Sequence, residues 1–267
     1  MTARIDTGTS LTKQDIADLI DHALLKPDLT PSSVEQSVLE LAAAHIWSVC
    51  VRPSDVALAA AAIASVEGSP TRVCTVIGFP HGTTSTPAKV AEATQALADG
   101  ATELDMVLNI GRLIDGRTEE VQDDIAAVVQ VGHDADALVK VIFETALLDE
   151  AQKIAACVAS DGGGADFVKT STGFAGGGAT IEDVALMREH CGDHVQVKAS
   201  GGVRDIDTAL AMLAEGVTRL GTSSTSALLA EAEQREGEGT MVVPAARTED
   251  DGSDLPSGSR PPVSDTY

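Results

Sequence analysis

The sequence predicts a single (β/α)8 barrel of the TIM type, and three observations carry that expectation. Eight short β-rich runs alternate with helical stretches, and strict alternation of strand and helix builds a parallel sheet. Eight such units favour closure into a barrel over an open doubly wound sheet, and no GxGxxG follows the first run to argue for a dinucleotide fold. The length of 267 residues suits one barrel, which needs ~250.

Taken in order, residues 1–12 are polar and read as a flexible N-terminus, and residues 13–232 hold the barrel. The strand runs are 20–24, 46–51, 72–77, 102–108, 138–143, 166–170, 195–199 and 218–221. The first helix opens at Thr30-Pro31, a cap followed by proline at the first helical position. Further helices are expected over 54–64, 87–98, 119–132, 150–159, 181–190 and 205–214. Thr180 with Asp183 three residues on reads as a capping box. Gly100, Gly132, Gly192 and Gly216 stand before strands as C-caps would. Residues 233–267 change character, with Pro244, Pro256, Pro261 and Pro262 among Gly, Ser and Asp. That composition predicts a disordered acidic tail outside the barrel.

Hydrophobic residues make up 43% and aromatics 2%, so the core must be built from Val, Ile, Leu and Ala, as barrel interiors are. The formal net charge of −23 sets the surface against nucleic acid and anionic membranes. Cys50, Cys74, Cys157 and Cys191 show no CxxC spacing and read as reduced, buried thiols rather than as disulfides or a zinc site. Trp47 reads as a packing residue. With no apolar leader and no long apolar run, the expected compartment is the cytoplasm.

Strand parity then locates the chemistry. A strand sends alternate side chains to opposite faces, and in a barrel the face toward the helices must be apolar. Val49 and Val51, Leu104 and Met106, Val139 and Val141, Val168, and Val195 and Val197 form that apolar set. The lumen therefore receives Asp21, Ser48, Cys50, Arg52, Glu103, Asp105, Lys140, Glu144, Lys169 and Lys198. Buried charges are costly unless paired or used. Three lysines near the C-terminal ends of neighbouring strands occupy the place where this fold carries catalytic groups.

A lysine amine attacks a carbonyl only when unprotonated, and a nearby second cation helps to free it. Lys169 and Lys198 on consecutive strands can supply nucleophile and neighbour, with Asp105 moving protons. This is a Schiff-base aldolase constellation that needs neither metal nor cofactor; the residues alone do not say which lysine attacks. Gly- and Ser-rich turns follow the last three strands, at Gly173 and Gly176–Gly178, at Gly201-Gly202, and at Gly221-Thr222-Ser223-Ser224. Such loops, with a helix N-terminus, bind phosphate in barrels.

Those residues resemble a family. Phe167-Val168-Lys169-Thr170-Ser171-Thr172-Gly173-Phe174 is similar to the Schiff-base strand of the deoxyribose-phosphate aldolases, and Val197-Lys198-Ala199-Ser200-Gly201-Gly202-Val203-Arg204 to their second-lysine strand. Glu103-Leu104-Asp105-Met106-Val107 resembles the strand of their catalytic aspartate, and the Asp21–Pro27, Val49–Pro53 and Gly78–Gly82 segments also fit. The resemblance spans about residues 15–232. It implies reversible cleavage of 2-deoxy-D-ribose 5-phosphate to acetaldehyde and D-glyceraldehyde 3-phosphate, in deoxynucleoside catabolism. It implies Lys169 as the Schiff-base lysine, Lys198 as the residue that perturbs it and shuttles protons, and Asp105 as proton donor and acceptor. Thr172, Gly173, Gly201, Gly202, Ser223 and Ser224 would surround the phosphate or sugar. Ala23 stands where Thr is usual, and Phe174 where one branch carries lysine. Some members use a C-terminal tyrosine, the position of Tyr267 here. The rivals are a Schiff-base lyase for another sugar phosphate and a sugar-phosphate-binding barrel without catalysis. Homodimer and homotetramer both stay open.

Overall fold

The computed structural model describes residues 3–247. Eight parallel strands close in sequence order: β1 Ile20–Leu24, β2 Ser48–Val51, β3 Arg72–Ile77, β4 Glu103–Val107, β5 Leu138–Ile142, β6 Phe167–Lys169, β7 Gln196–Ser200 and β8 Arg219–Thr222. The seam joins β8 to β1 with Asp21 opposite Gly221. The described residues also hold ten α-helices: α1 Lys13–Ala17, α2 Pro31–Ala43, α3 Val56–Ala64, α4 Thr86–Ala98, α5 Ile110–Ile114, α6 Thr118–His133, α7 Glu150–Gly162, α8 Ile181–His190, α9 Ile206–Ala214 and α10 Thr225–Glu238. None is long and apolar enough to cross a membrane.

The main core lies between sheet and helices, where Val49, Leu104, Met106, Val139, Val141, Val168 and Val197 are fully buried. These are the residues that parity sends outward. Cys50, Cys74 and Val76 form a separate cluster inside the barrel. One charged pair also enters the helical layer. Lys89 of α4 donates to the Val107 carbonyl at 2.8 Å and pairs with Asp124 of α6 at 2.5 Å, tying two helices to the end of β4.

Several local expectations change. Thr180 caps α8 by accepting from the Asp183 amide, but the reciprocal half of the capping box is not made. Asp183 instead pairs with Lys153 of α7 at 2.5 Å. Gly100 and Gly216 have positive φ, as C-cap glycines should. Gly132 lies inside α6, where its missing side chain lets Val139 approach; a Cβ there would stand 2.5 Å from Val139 Cγ2. Gly192 likewise has no positive φ and packs beside Asp161 and His194.

The expected boundaries at residues 12 and 233 also move. α10 runs on to Glu238, and the segment after it is held against the N-terminal segment. Gly8 and Leu11 amides donate to the Val243 and Met241 carbonyls at 2.8 and 2.9 Å, and the Val243 amide donates to Thr9 at 3.0 Å. Met241 and Val243 are each 1% exposed. Residues up to 247 that composition assigned to the tail therefore pack on the barrel, because two apolar residues spaced by two share one buried face. The remainder of the expected tail, Tyr267 included, lies outside the described residues.

Candidate active site

Strand register sets the lumen charges side by side. Asp105 is opposite Lys140 across β4 and β5, Lys169 is opposite Lys198 across β6 and β7, and Lys198 is opposite Arg219 across β7 and β8. Two layers result. In the lower one, Arg219 donates to Asp21 and to Glu103, the latter at 2.9 Å. Ser48 donates to Asp21 at 2.5 Å, and the Trp47 indole N–H donates to Glu103 at 2.7 Å. Trp47 thus packs as expected, with the guanidinium carbons of Arg72 and Arg219 4.0 and 4.5 Å from its ring centre. Lys140 joins the layers, 2.5 Å from Glu103 and 2.8 Å from Asp105.

The upper layer centres on Asp105. Its Oδ2 accepts from Lys169 Nζ at 2.7 Å and from Lys198 Nζ at 2.8 Å, so the two amines share one oxygen. Lys198 also lies 2.5 Å from Asp21 Oδ2. Burial works against the charge on Lys198, but the carboxylates of Asp105 and Asp21 outweigh it and raise its pKa, so it stays an ammonium. Lys140 is held charged in the same way, by Asp105 and Glu103 among others. Burial alone would protonate Asp105; Lys140, Lys169 and Lys198 together hold its carboxyl well below the ordinary range. Four cations thus face three carboxylates.

Above this layer opens a cavity of about 360 Å³. Lys169 and Lys198 line its floor, and Asp105, with no exposed surface, lies immediately beneath them. Thr172, Gly173, Gly201, Gly202, Ser223 and Ser224 all line its wall, brought together from three separate loops. Gly173, Gly201 and Gly202 have φ of 84°, 83° and 92°, which L side chains rarely adopt. At Gly201 space also matters, since a Cβ would stand 2.9 Å from the Gly178 Cα. Ser224 is the N-cap of α10, makes no side-chain cap hydrogen bond and lines the cavity.

Other residues at the cavity were not singled out as binding groups from sequence. Lys26 and Arg204 line the mouth and bring positive charge to an acidic protein. Nothing in their strand parity announces them, because both stand on loops. Glu144 follows β5 with φ of 58°, and its buried carboxylate accepts from the Thr172 amide at 3.3 Å and from the Thr172 hydroxyl. Burial raises its pKa. Phe174 lines the cavity and stacks edge-on against Phe79 with ring centres 5.2 Å apart. Ala23 lines the cavity without a hydroxyl. Arg219 and its role as counter-ion were missed, although the parity used elsewhere would have sent it inward beside outward Leu220. One residue assigned to the lumen is not there. Arg52 lies past the end of β2, pairs with Asp55 at 2.6 Å and donates to the Lys26 and Pro27 carbonyls.

A family model described as DeoC/LacD family aldolase matches residues 15–227. A deoxyribose-phosphate aldolase of Brevibacillus brevis is 53% identical over 205 residues, covering 77% of this chain and 90% of the relative. One of Rhodospirillum rubrum is 51% identical over 233 residues, covering 87% and 96%. Among solved structures, the tetrameric deoxyribose phosphate aldolase of Aeropyrum pernix aligns with a TM-score of 0.75 at 31% identity, covering 82% of this chain and 91% of that one. A barrel with buried lysines at its C-terminal mouth, a matching family model and relatives of more than 50% identity agree, and the chain belongs to the DeoC/LacD family of aldolases.

Proposed function

We propose that this enzyme reversibly cleaves 2-deoxy-D-ribose 5-phosphate to acetaldehyde and D-glyceraldehyde 3-phosphate through a Schiff base on Lys169, in the catabolism of deoxyribose phosphate. The observation that carries the reading is the shared oxygen: Lys169 and Lys198 both reach Asp105 Oδ2 beneath a cavity walled by phosphate-type loops. The relatives named as deoxyribose-phosphate aldolases support the substrate.

In this reading the Lys169 amine adds to the C1 aldehyde, and the carbinolamine loses water to give a protonated imine. Lys198, an ammonium held by Asp21 and Asp105, supplies the neighbouring cation that favours a free amine on Lys169. Asp105 passes protons to and from the carbinolamine oxygen, directly or through water. A base removes the C3 hydroxyl proton, the C2–C3 bond breaks, and its electron pair flows into the iminium as an enamine. D-Glyceraldehyde 3-phosphate departs. Protonation at C2 and hydrolysis then release acetaldehyde and restore the amine. Gly201, Gly202, Ser223 and Ser224 hold the phosphate with amides, hydroxyls and the α10 N-terminus, and Lys26 and Arg204 draw the anion to the mouth. Thr172 and Gly173 close the remaining wall. The enzyme works in the cytoplasm.

Borohydride reduction in the presence of deoxyribose 5-phosphate, followed by peptide mass mapping, tests the assignment. A reduced adduct on Lys169 is expected, and Lys169→Ala should abolish both adduct and turnover in a folded barrel. An adduct on Lys198 would reverse the two roles. Lys198→Ala should fall at least ~100-fold in turnover and recover in part at alkaline pH; a flat profile would leave Lys198 with proton transfer alone.

A further inference from the structure

We propose that Cys50, Cys74 and Asp105 form an inhibitory site for a thiophilic divalent cation, zinc foremost. Two thiol sulfurs and a carboxylate oxygen from three consecutive strands lie within 4.8 Å of one another. Cys50 and Cys74 are register partners across β2 and β3, and Cys74 Sγ already donates to Asp105 Oδ1 at 3.2 Å. Tetrahedral zinc with Zn–S bonds of ~2.3 Å wants its sulfurs roughly 3.8 Å apart. Closing the trio therefore takes side-chain movement of about 1 Å or less. Cys50 lines the cavity, which gives an ion a way in and leaves its fourth position facing the open space. Asp105 and Cys74 are already oriented by a second layer, with Lys140 Nζ 2.8 Å from the carboxylate and 3.5 Å from the sulfur.

Charge decides whether a dication can enter a lumen that already holds three lysines. As it binds, two S–H bonds break, two metal–sulfur bonds form, and two protons leave to solvent; no electron is transferred. The dication and the two new thiolates cancel, so the lumen keeps its net charge. Magnesium lacks this route, because it prefers six oxygen ligands and gains little from sulfur. Sequence spacing hides the site, since only barrel closure makes the three residues neighbours. Binding is independent of the proposed reaction. Inhibition rests on that reading, because the ion takes the carboxylate that Lys169 and Lys198 share and occupies the cavity floor.

Cadmium is the probe, because its thiolate complexes absorb in the near ultraviolet while its carboxylate and amine complexes do not. Titration of the reduced, oxygen-free enzyme should saturate at one cadmium per chain with that absorption. Cys50→Ser and Cys74→Ser should each lose it, with Cys50→Ala and Cys74→Ala as substitutes if serine disturbs folding. Cys157→Ser should keep it, although Cys157 and Cys191 form a second thiol pair. Zinc should inhibit deoxyribose 5-phosphate cleavage reversibly by EDTA, and at least tenfold more weakly in the Cys50 and Cys74 variants, each judged against its own metal-free rate. No absorption in the unaltered enzyme, or absorption lost with Cys157→Ser instead, overturns the site. Binding without inhibition overturns its inhibitory role. Absence of cleavage by the metal-free enzyme would sink the aldolase reading alone, and the cadmium titration would still decide the site.

Discussion

Arg219 shows what one buried charge does for the barrel. It has no exposed surface and neutralises Asp21 and Glu103, which are also buried. Removing one partner of such a pair strands the others, at about 3–5 kcal/mol. Arg219→Met should lower urea-unfolding stability by that order, and adding Glu103→Gln should restore part of it. An unchanged midpoint would mean that the lower layer is not a structural network. His22 makes a second case. Burial lowers its pKa to about 4, and its Nδ1 lies 2.8 Å from the Thr225 hydroxyl of α10. The folded state therefore resists protonation while the unfolded chain takes a proton near pH 6.5. Stability contributed by neutral His22 is complete above that pH and is lost as pH falls from about 6.5 towards 4, by on the order of 3 kcal/mol. His22→Gln should flatten the stability–pH curve over that window, as chemical denaturation at several pH values would reveal. At this scale parity made Asp105, Lys140, Lys169 and Lys198 legible from sequence, because an inward charge on an otherwise apolar strand stands out. Lys26, Arg204 and Phe174 were not legible as a group, since loops have no period.

Elements were legible wherever hydrophobic period and punctuation agreed. The eight strands follow from their short apolar runs, and the capped helices α2 and α8 from Thr30-Pro31 and Thr180. The five-residue helices α1 and α5 escaped, because one turn and a half carries too little period to detect. Glycine is where local reading misled, since a C-cap and a close packing contact look alike in sequence. Gly132→Ala should destabilise by about 1–3 kcal/mol through overpacking against Val139. Gly237 in α10 has nothing within 4 Å of the added Cβ and no positive φ. Gly237→Ala should therefore stabilise, by up to about 1 kcal/mol. Thermal unfolding of the two variants should move in opposite directions.

For the whole molecule, the two chain ends act together. The bridge between Ser10 and Val242, with Met241 and Val243 buried, fastens the segment after α10 to the start of the chain. A chain ending after residue 232 should be less stable than one ending after residue 247 by about 3 kcal/mol or more, from the burial of those two side chains alone. Comparison of the two melting temperatures checks this, and equal values would mean that the segment contributes nothing.

By itself the sequence determined the (β/α)8 class, the inward placement of the lysines and Asp105, and the glycine and serine loops that follow the last three strands. Those features rest on local period and on the rule that an outward barrel face must be apolar. Only tertiary structure decided which charges meet. The register of β4 through β8 and the closure of β8 onto β1 put Lys169 and Lys198 on one oxygen of Asp105, set Arg219 beneath them, and brought Cys50 and Cys74 to the same carboxylate. Pairwise distance across a closed barrel depends on register and shear, and no segment of chain encodes either one alone.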